Sequence, residues 1–415
     1  MELMNQPFNG QLGNRLIELL DSPDYHTLNI VVAFAKNSGV LRIKGSLDKF
    51  RARGGIVNAY VGVDLGVTSY EALTALLLCT NSLNVVHSES SQTFHTKIYH
   101  FLGEEKGLIV VGSHNLTCGG LWTNIESSAL IPADNSSTNG TAILNAQDDY
   151  LSKLTSLKDA FMPIGKQDDI DKLLDNGYIS KEVSRLVHLA QAKTQAQKGV
   201  RLFGKGAPKG APPKLPTQTA PASAATQKTK KTAPASAAPA PVPLNDEWQT
   251  VWFETRRMTG GSRNILDLSM KSLVERGDPT GTPFDLGDRR FMRGGVQFFD
   301  VNPTNTAQDK NITLNFDGVD YVGNTIKFPD GDSANGSWRL QIKGISSSNV
   351  KITDAFRTKD KELHLVAKVI TFSKVQGDYY FMSVFPESEL KNFKAASRIL
   401  ARNGSTKSAK QLGLL

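Results

Sequence analysis

The chain has 415 residues, 39% of them hydrophobic, and its 48 basic and 40 acidic side chains leave a net charge of +8. That is long enough for two domains that each bury a core, and no apolar run approaches the roughly 18 residues of a membrane span, which argues against an integral membrane protein. Cys79 and Cys118 have no metal-ligand spacing, so neither a zinc site nor a disulfide framework is expected. The first residues lack the basic and apolar segments of a signal peptide, and a cytoplasmic location is the expectation. Lys205, Lys209, Lys214, Lys228, Lys230 and Lys231 share one stretch without an acid. The remainder is therefore nearly balanced, and basicity alone is a modest pointer to a polyanionic partner.

In chain order, apolar runs at Leu28–Phe34, Val57–Val63, Leu83–His87, Phe94–Phe101 and Leu108–Gly112 predict strands. Val40–Arg53 and Thr68–Cys79 predict intervening helices, the second opened by a capping box from Thr68 to Glu71. Asp148–Phe161, Asp168–Leu174 and Ser180–Gln197 predict helices that close this domain. Alternation of this kind gives an α/β layout with a mixed sheet over residues 1–203. From 204 to 244 the composition turns to Pro, Ala, Thr, Gln and Lys, which cannot bury enough apolar surface to offset ordering, and predicts a flexible linker.

Residues 245–415 are β-rich, with strands expected at Val296–Val301, Ile312–Phe316, Val319–Val322, Trp338–Lys343, His364–Phe372 and Tyr379–Val384, and a tight hairpin at Asp317-Gly318. A small barrel or sandwich is the natural packing. Glu387–Arg402 has helical spacing, with Leu390, Phe393, Ala396 and Leu400 on one face and Lys391, Lys394, Arg398 and Arg402 on another.

The chemistry centres on His95-Thr96-Lys97. On a strand His95, Lys97 and Tyr99 would share a face. An imidazole can attack phosphorus directly, and a fixed ammonium offsets charge on the non-bridging oxygens. Alone, so short a pattern fits equally a structural histidine beside a surface lysine. Downstream, Gly112 and Ser113 end a buried strand and let backbone and hydroxyl donors approach an oxyanion. Asn115 adds amide donors, and a carboxylate at Glu126 can accept from the histidine ring and fix its tautomer. The competing reading is a Gly-Ser turn, a helix-capping Asn and a solvated Glu. His114 is expected to be a solvent-facing loop histidine, with an auxiliary donor role as the alternative.

His-x-Lys, then Gly-Ser-x-Asn, then Glu resembles the phospholipase D superfamily over residues from about 25 to 131. With Asn124-Ile125-Glu126 it is similar, more narrowly, to the nuclease domain of the BfiI and NgoFVII group of restriction endonucleases. The classical motif places an Asp where this chain has Leu102, a departure from the lipases that the restriction group shares. The resemblance implies catalysis by two histidines through a phosphohistidine, with neither metal nor cofactor. With one such motif per chain, it implies a homodimer with a composite site in which Lys97 and Asn115 bind phosphate and Glu126 orients His95.

The same group carries a C-terminal pseudobarrel similar to the B-three domain of plant transcription factors, which reads double-stranded DNA with two arms. By that resemblance Arg256, Arg257, Arg263 and Asn264 fall on one arm, and Arg290 and Arg293 on the second; the plain alternative is solvated arginines. A site-specific restriction endonuclease follows as the leading expectation. A sequence-nonspecific nuclease or phosphodiesterase and a DNA-binding scaffold with an inert site are the alternatives. The group also implies a separate helicase-like ATPase and a cognate methyltransferase as partners, and no membrane.

Overall fold

The computed structural model describes residues 1–90, 92–196, 211–215, 249–257, 263–329, 337–359 and 365–415. They form two compact units, one from Met1–Glu182 with 211–215, the other from 183–196 with 249–415. The linker expected over 204–244 lies outside the described residues apart from 211–215, and so do both of its ends.

The first unit opens with β1 (Glu2–Gln6) and α1 (Leu12–Asp21), followed by β2 (Thr27–Val32), α2 (Asn37–Ala52), β3 (Ile56–Gly62), α3 (Tyr70–Cys79), β4 (Ser82–Val86), β5 (Lys97–Leu102), β6 (Lys106–Gly112), β7 (Glu126–Asp134), α4 (Thr138–Thr155), β8 (Phe161–Ile164) and α5 (Gln167–Asp175). The strands build one mixed sheet in the order β1-β7-β6-β5-β2-β3-β4-β8. Its parallel pairs, β2 with β3 and β3 with β4, coincide with the predominantly apolar runs, each broken only by one asparagine (Asn29, Asn58, Asn84), because central strands covered on both faces need apolar side chains on both. Leu12, Leu16, Leu19 and Leu20 of α1 recur at helical spacing and are buried against that sheet together with Val40, Phe50, Leu73, Leu76 and Ile170. Leu151 and Leu154 of α4 cover Val31, Tyr60 and Val86 on the opposite face.

Two helix starts differ from expectation. α3 is capped by Ser69, whose Oγ accepts the Ala72 amide at 3.1 Å, and not by Thr68, whose hydroxyl donates to the Gly62 carbonyl at 2.6 Å. Removing that cap in Ser69→Ala is expected to cost about 1 kcal/mol, read as a lower urea midpoint for the first unit at unchanged slope. α4 begins at Thr138, ten residues ahead of the expected Asp148, because Ser137 caps it within a run of Asn, Ser and Thr that reads as loop. Phe161, expected to end that helix, instead starts β8 at the sheet edge.

The second unit takes α6 (Glu182–Ala196) from Val183 onward, where Val183 and Val187 pack with Trp252, Phe385 and Phe393. Its strands are β9 (Thr250–Glu254), β10 (Ile265–Leu268), β11 (Lys271–Arg276), β12 (Asp285–Asp288), β13 (Phe291–Arg293), β14 (Lys310–Phe316), β15 (Val319–Lys327) and β16 (Trp338–Gln341). After α7 (Ile352–Lys359) come β17 (Lys368–Gln376) and β18 (Tyr379–Pro386), then α8 (Leu390–Ala396), β19 (Ile399–Arg402) and β20 (Gln411–Leu414). These twelve strands form one sheet, mostly antiparallel, that runs from β10 at one end to β12 at the other around an aromatic core including Phe253, Phe298, Phe299, Trp338 and Tyr380. Asp317 and Gly318 join β14 to β15 with φ of 52° and 87°, the left-handed pair a two-residue hairpin turn requires.

Two expectations are corrected here. Val296–Val301 is not a strand: Gly295–Phe299 is a 3-10 turn that sends Val296, Phe298 and Phe299 together into the core. The helix expected over Glu387–Arg402 stops at Ala396, where Ser397 Oγ donates to the Phe393 carbonyl and accepts from Trp252 Nε1 at 2.8 Å. The chain then continues as β19, so its basic residues do not form one helical face. Among the described residues no helix is long and apolar enough to cross a membrane.

Candidate active site

β2 runs on past its last residue and stitches two other segments to itself. The Ala33 amide donates to the Thr96 carbonyl at 2.7 Å, and the Phe34 amide to Asn115 Oδ1 at 3.1 Å. Leu116 and Lys36 complete the seam, the Leu116 amide to the Phe34 carbonyl at 3.1 Å and the Lys36 amide to the Leu116 carbonyl at 3.0 Å. Beside them the Ser113 amide donates to the Ser127 carbonyl at 3.0 Å. The segments carrying His95, Lys97, Ser113, Asn115 and Glu126 thereby meet at one end of the first unit's sheet, although 31 positions separate the first from the last.

His95 is not in a strand. It precedes β5, is exposed, and sets its ring edge-on to Phe34 with centroids 5.8 Å apart. Strand alternation therefore applies to Lys97 and Tyr99 but not to His95. Lys97 is 7% exposed and its ammonium donates to the His95 carbonyl at 2.7 Å. Burial pulls that ammonium below the ordinary lysine range, and the Glu126 carboxylate pulls it back up. A cation held beside an exposed imidazole can offset charge that builds on a bound oxyanion.

Glu126 accepts from the Ser113 hydroxyl and, at 3.2 Å, from Asn124 Nδ2. Both carboxylate oxygens are thus occupied within the chain, and the His95 ring has no hydrogen bond to Glu126. The negative charge of Glu126 also opposes ionisation of Tyr99, whose phenol is pushed up mainly by burial. His114 is the clearest surprise: it is 1% exposed, not solvent-facing, with Nδ1 2.5 Å from Ser128 Oγ and Nε2 buried without a partner. Burial lowers its pKa to about 4, so it is a neutral core group beneath the site. Phe34 and Tyr150, whose hydroxyl lies 2.8 Å from Thr96 Oγ1, belong to the site's walls and carried no signal in the sequence beyond their apolar surroundings.

Arg256 is spent internally, donating to both oxygens of buried Glu254 at 3.1 and 3.2 Å and to the Ser408 carbonyl at 2.9 Å. Asn264 donates to the Ile342 carbonyl at 3.0 Å, Arg293 to the Asp285 carbonyl at 3.2 Å, and Arg290 pairs with Asp288 at 3.3 Å. Arg257 and Arg263 make no hydrogen bond or ion pair with another described residue; the glycines between them fall outside the described residues. Arg290 and its neighbour Arg289, each 81% exposed, line a cavity of about 450 Å³ with Arg276 and Phe291.

No protein-family model matches this chain, and no curated protein does. Among solved structures it is similar to NucT from Helicobacter pylori, at 17% identity over 37% of this chain and 93% of that one, with a TM-score of 0.27. It is likewise similar to Nuc from Salmonella typhimurium, a phospholipase D family member, at 16% identity over 36% of this chain and 91% of that one, with a TM-score of 0.27. Polyphosphate kinase from Porphyromonas gingivalis aligns at 12% identity over 47% of this chain and 31% of that one, with a TM-score of 0.28.

Proposed function

We propose that this chain is a phospholipase D-type endonuclease that hydrolyses DNA phosphodiester bonds without a metal ion, and that it acts as a site-specific restriction enzyme. The observation that carries the chemistry is the convergence of an exposed His95 ring with buried Lys97, half-buried Asn115 and Glu126, and exposed Ser113 at one sheet end. A His95 ring nitrogen attacks phosphorus, a P–N bond forms, and the bond to the leaving oxygen breaks. That oxygen needs a proton, and the site of one chain holds no second exposed histidine among these residues. His95 of a second copy supplies it across a two-fold axis, so the working enzyme is a homodimer of the first unit. Water then attacks the phosphohistidine, the P–N bond breaks, and the second histidine takes the water's proton. Lys97 and Asn115 of both copies bind the non-bridging oxygens, supplying the electrostatic role a divalent ion has elsewhere.

In this reading the second unit recognises double-stranded DNA as a B-three-like pseudobarrel. Arg257 and Arg263, with no internal hydrogen bond or ion pair to another described residue, are better base readers than Arg256 and Asn264, whose polar groups are committed. A cytoplasmic setting, a helicase-like ATPase and a methyltransferase that protects host DNA complete the proposal. The test is digestion of varied plasmid DNA in EDTA with end mapping. Discrete fragments are expected; a smear would favour the nonspecific nuclease. Intact DNA, also in a parallel digest without EDTA that supplies a helicase-like ATPase with ATP and magnesium, would overturn the nuclease reading.

A further inference from the structure

We propose that Asp64, braced by His87, is a positioning residue that sets where His95 stands by anchoring the backbone of Phe94; this rests on the reading of His95 as nucleophile. Asp64 follows β3 in a 3-10 turn (Asp64–Gly66) and is 8% exposed. Its Oδ2 accepts the Phe94 amide at 3.0 Å, and its Oδ1 lies 2.8 Å from His87 Nδ1. A carboxylate only accepts, so His87 donates from Nδ1. The His87 ring meets Tyr178 edge-on at 5.3 Å, and the Tyr178 hydroxyl donates to Glu89, which holds the imidazole from its other side.

Leu65 and Gly66, next in the turn, are left-handed with φ of 58° and 56° although the Leu65 side chain is 79% exposed. Such a backbone state persists where the surroundings over-determine it. Phe94 is pinned on its ring as well: a Cβ at Gly62 would stand 2.9 Å from the Phe94 ring and 2.7 Å from the Ala33 carbonyl, so only glycine permits this approach. Thr96, on the far side of His95, is held by the Ala33 amide and by Tyr150. His95 thus hangs between two residues each fixed on backbone and side chain, while its own ring makes no hydrogen bond to a described residue. Its aim is therefore set by its neighbours, and Asp64 is the group that reaches the preceding one from 30 positions away.

The experiment uses full-length Asp64→Ala, Asp64→Asn and His87→Phe. Asparagine keeps an acceptor for the Phe94 amide and removes the charge. In Asp64→Ala the Phe94 amide is expected to exchange about tenfold faster, and single-turnover cleavage to slow about 100-fold, the scale of a displacement near 1 Å. DNA affinity should be unchanged, and Asp64→Asn should restore most of the rate. An unaltered cleavage rate in Asp64→Ala, or a fall that only tracks the folded fraction by circular dichroism, would overturn the proposal. Should Asp64→Ala not fold, His87→Phe takes its place with an expected fall of about tenfold, and no fall overturns it. If the wild-type chain cuts no DNA, the nucleophile reading is what has failed. The positioning claim is then decided by the rate at which diethyl pyrocarbonate modifies His95, expected to differ between wild type and Asp64→Ala, with equal rates counting against it.

Discussion

His95→Ala abolishes DNA cleavage, a loss on the order of 10⁴-fold or more, while DNA binding and self-association persist: this is the expected result if His95 forms the covalent bond to phosphorus. The variant is informative because the side chain is exposed and meets Phe34 only edge-on. The hydrogen bond from Lys97 goes to the backbone carbonyl, which alanine retains. Stability should therefore change little. Lys97→Met is a milder companion, expected to slow the chemical step by about 10²–10³-fold, the scale of losing one charge-stabilising donor. Mixing separates a composite site from a self-sufficient one. When His95→Ala and wild-type chains are co-assembled, activity should fall as the square of the wild-type fraction if each site needs two histidines, and linearly if it needs one. Single-turnover cleavage of an end-labelled duplex measures both; retained cutting by His95→Ala would refute the nucleophile assignment.

How much of this was legible beforehand follows from the range of the interactions involved. The central strands announced themselves because burial on both faces leaves largely apolar runs, Leu28–Val32 and Val57–Val61, each interrupted by a single asparagine, Asn29 or Asn58. β1 and β8 did not, since an edge strand covered on one side only has a short and mixed pattern. The hairpin at Asp317-Gly318 was readable from two residues, whereas the end of α8 depends on Ser397 meeting Trp252 from 145 positions away. The same division runs through the site. His95, Lys97, Ser113, Asn115 and Glu126 are chemically conspicuous residue types in short motifs. The groups that hold them, Phe34, Asp64 and Tyr150, are ordinary residues made relevant only by the sheet order. His114 misled for a related reason: it sits in a polar Ser-His-Asn string, yet its backbone leaves β6 in a direction that turns the ring inward over Ser128. Arg256 is a different case, an arginine in a glycine-rich stretch that pairs with Glu254, a neighbouring strand residue.

Acid should destabilise the first unit well before its carboxylates titrate, because it buries two neutral histidines. His114 is lowered from 6.5 to about 4 by burial. His100, fully buried in β5, is lowered by the same cause, with Asp148 opposing it. Its tautomer is set by a polar ladder across the sheet: Ser82 donates to Asn58, Asn58 to Asn29, and Asn29 Nδ2 lies 3.4 Å from His100 Nδ1, which must accept. Between pH 6.5 and about 4 the unfolded chain has His114 protonated and the folded chain does not, so the unfolded state binds more protons and stability falls as pH falls. Each such histidine contributes a slope of up to about 1.4 kcal/mol per pH unit, and His114 alone loses about 3 kcal/mol across its window. Above pH 6.5 the stability should be flat with respect to both. His114→Phe should flatten part of the slope, though it strands the Ser128 hydroxyl and lowers the plateau. Hydrogen exchange of the β5 and β6 amides in the full chain, corrected for the intrinsic pH dependence of exchange, reports this unit separately. Protection that stays constant from pH 7 to 4.5 would mean that His114 is already charged in the folded chain, and that its buried Nε2 has found an acceptor.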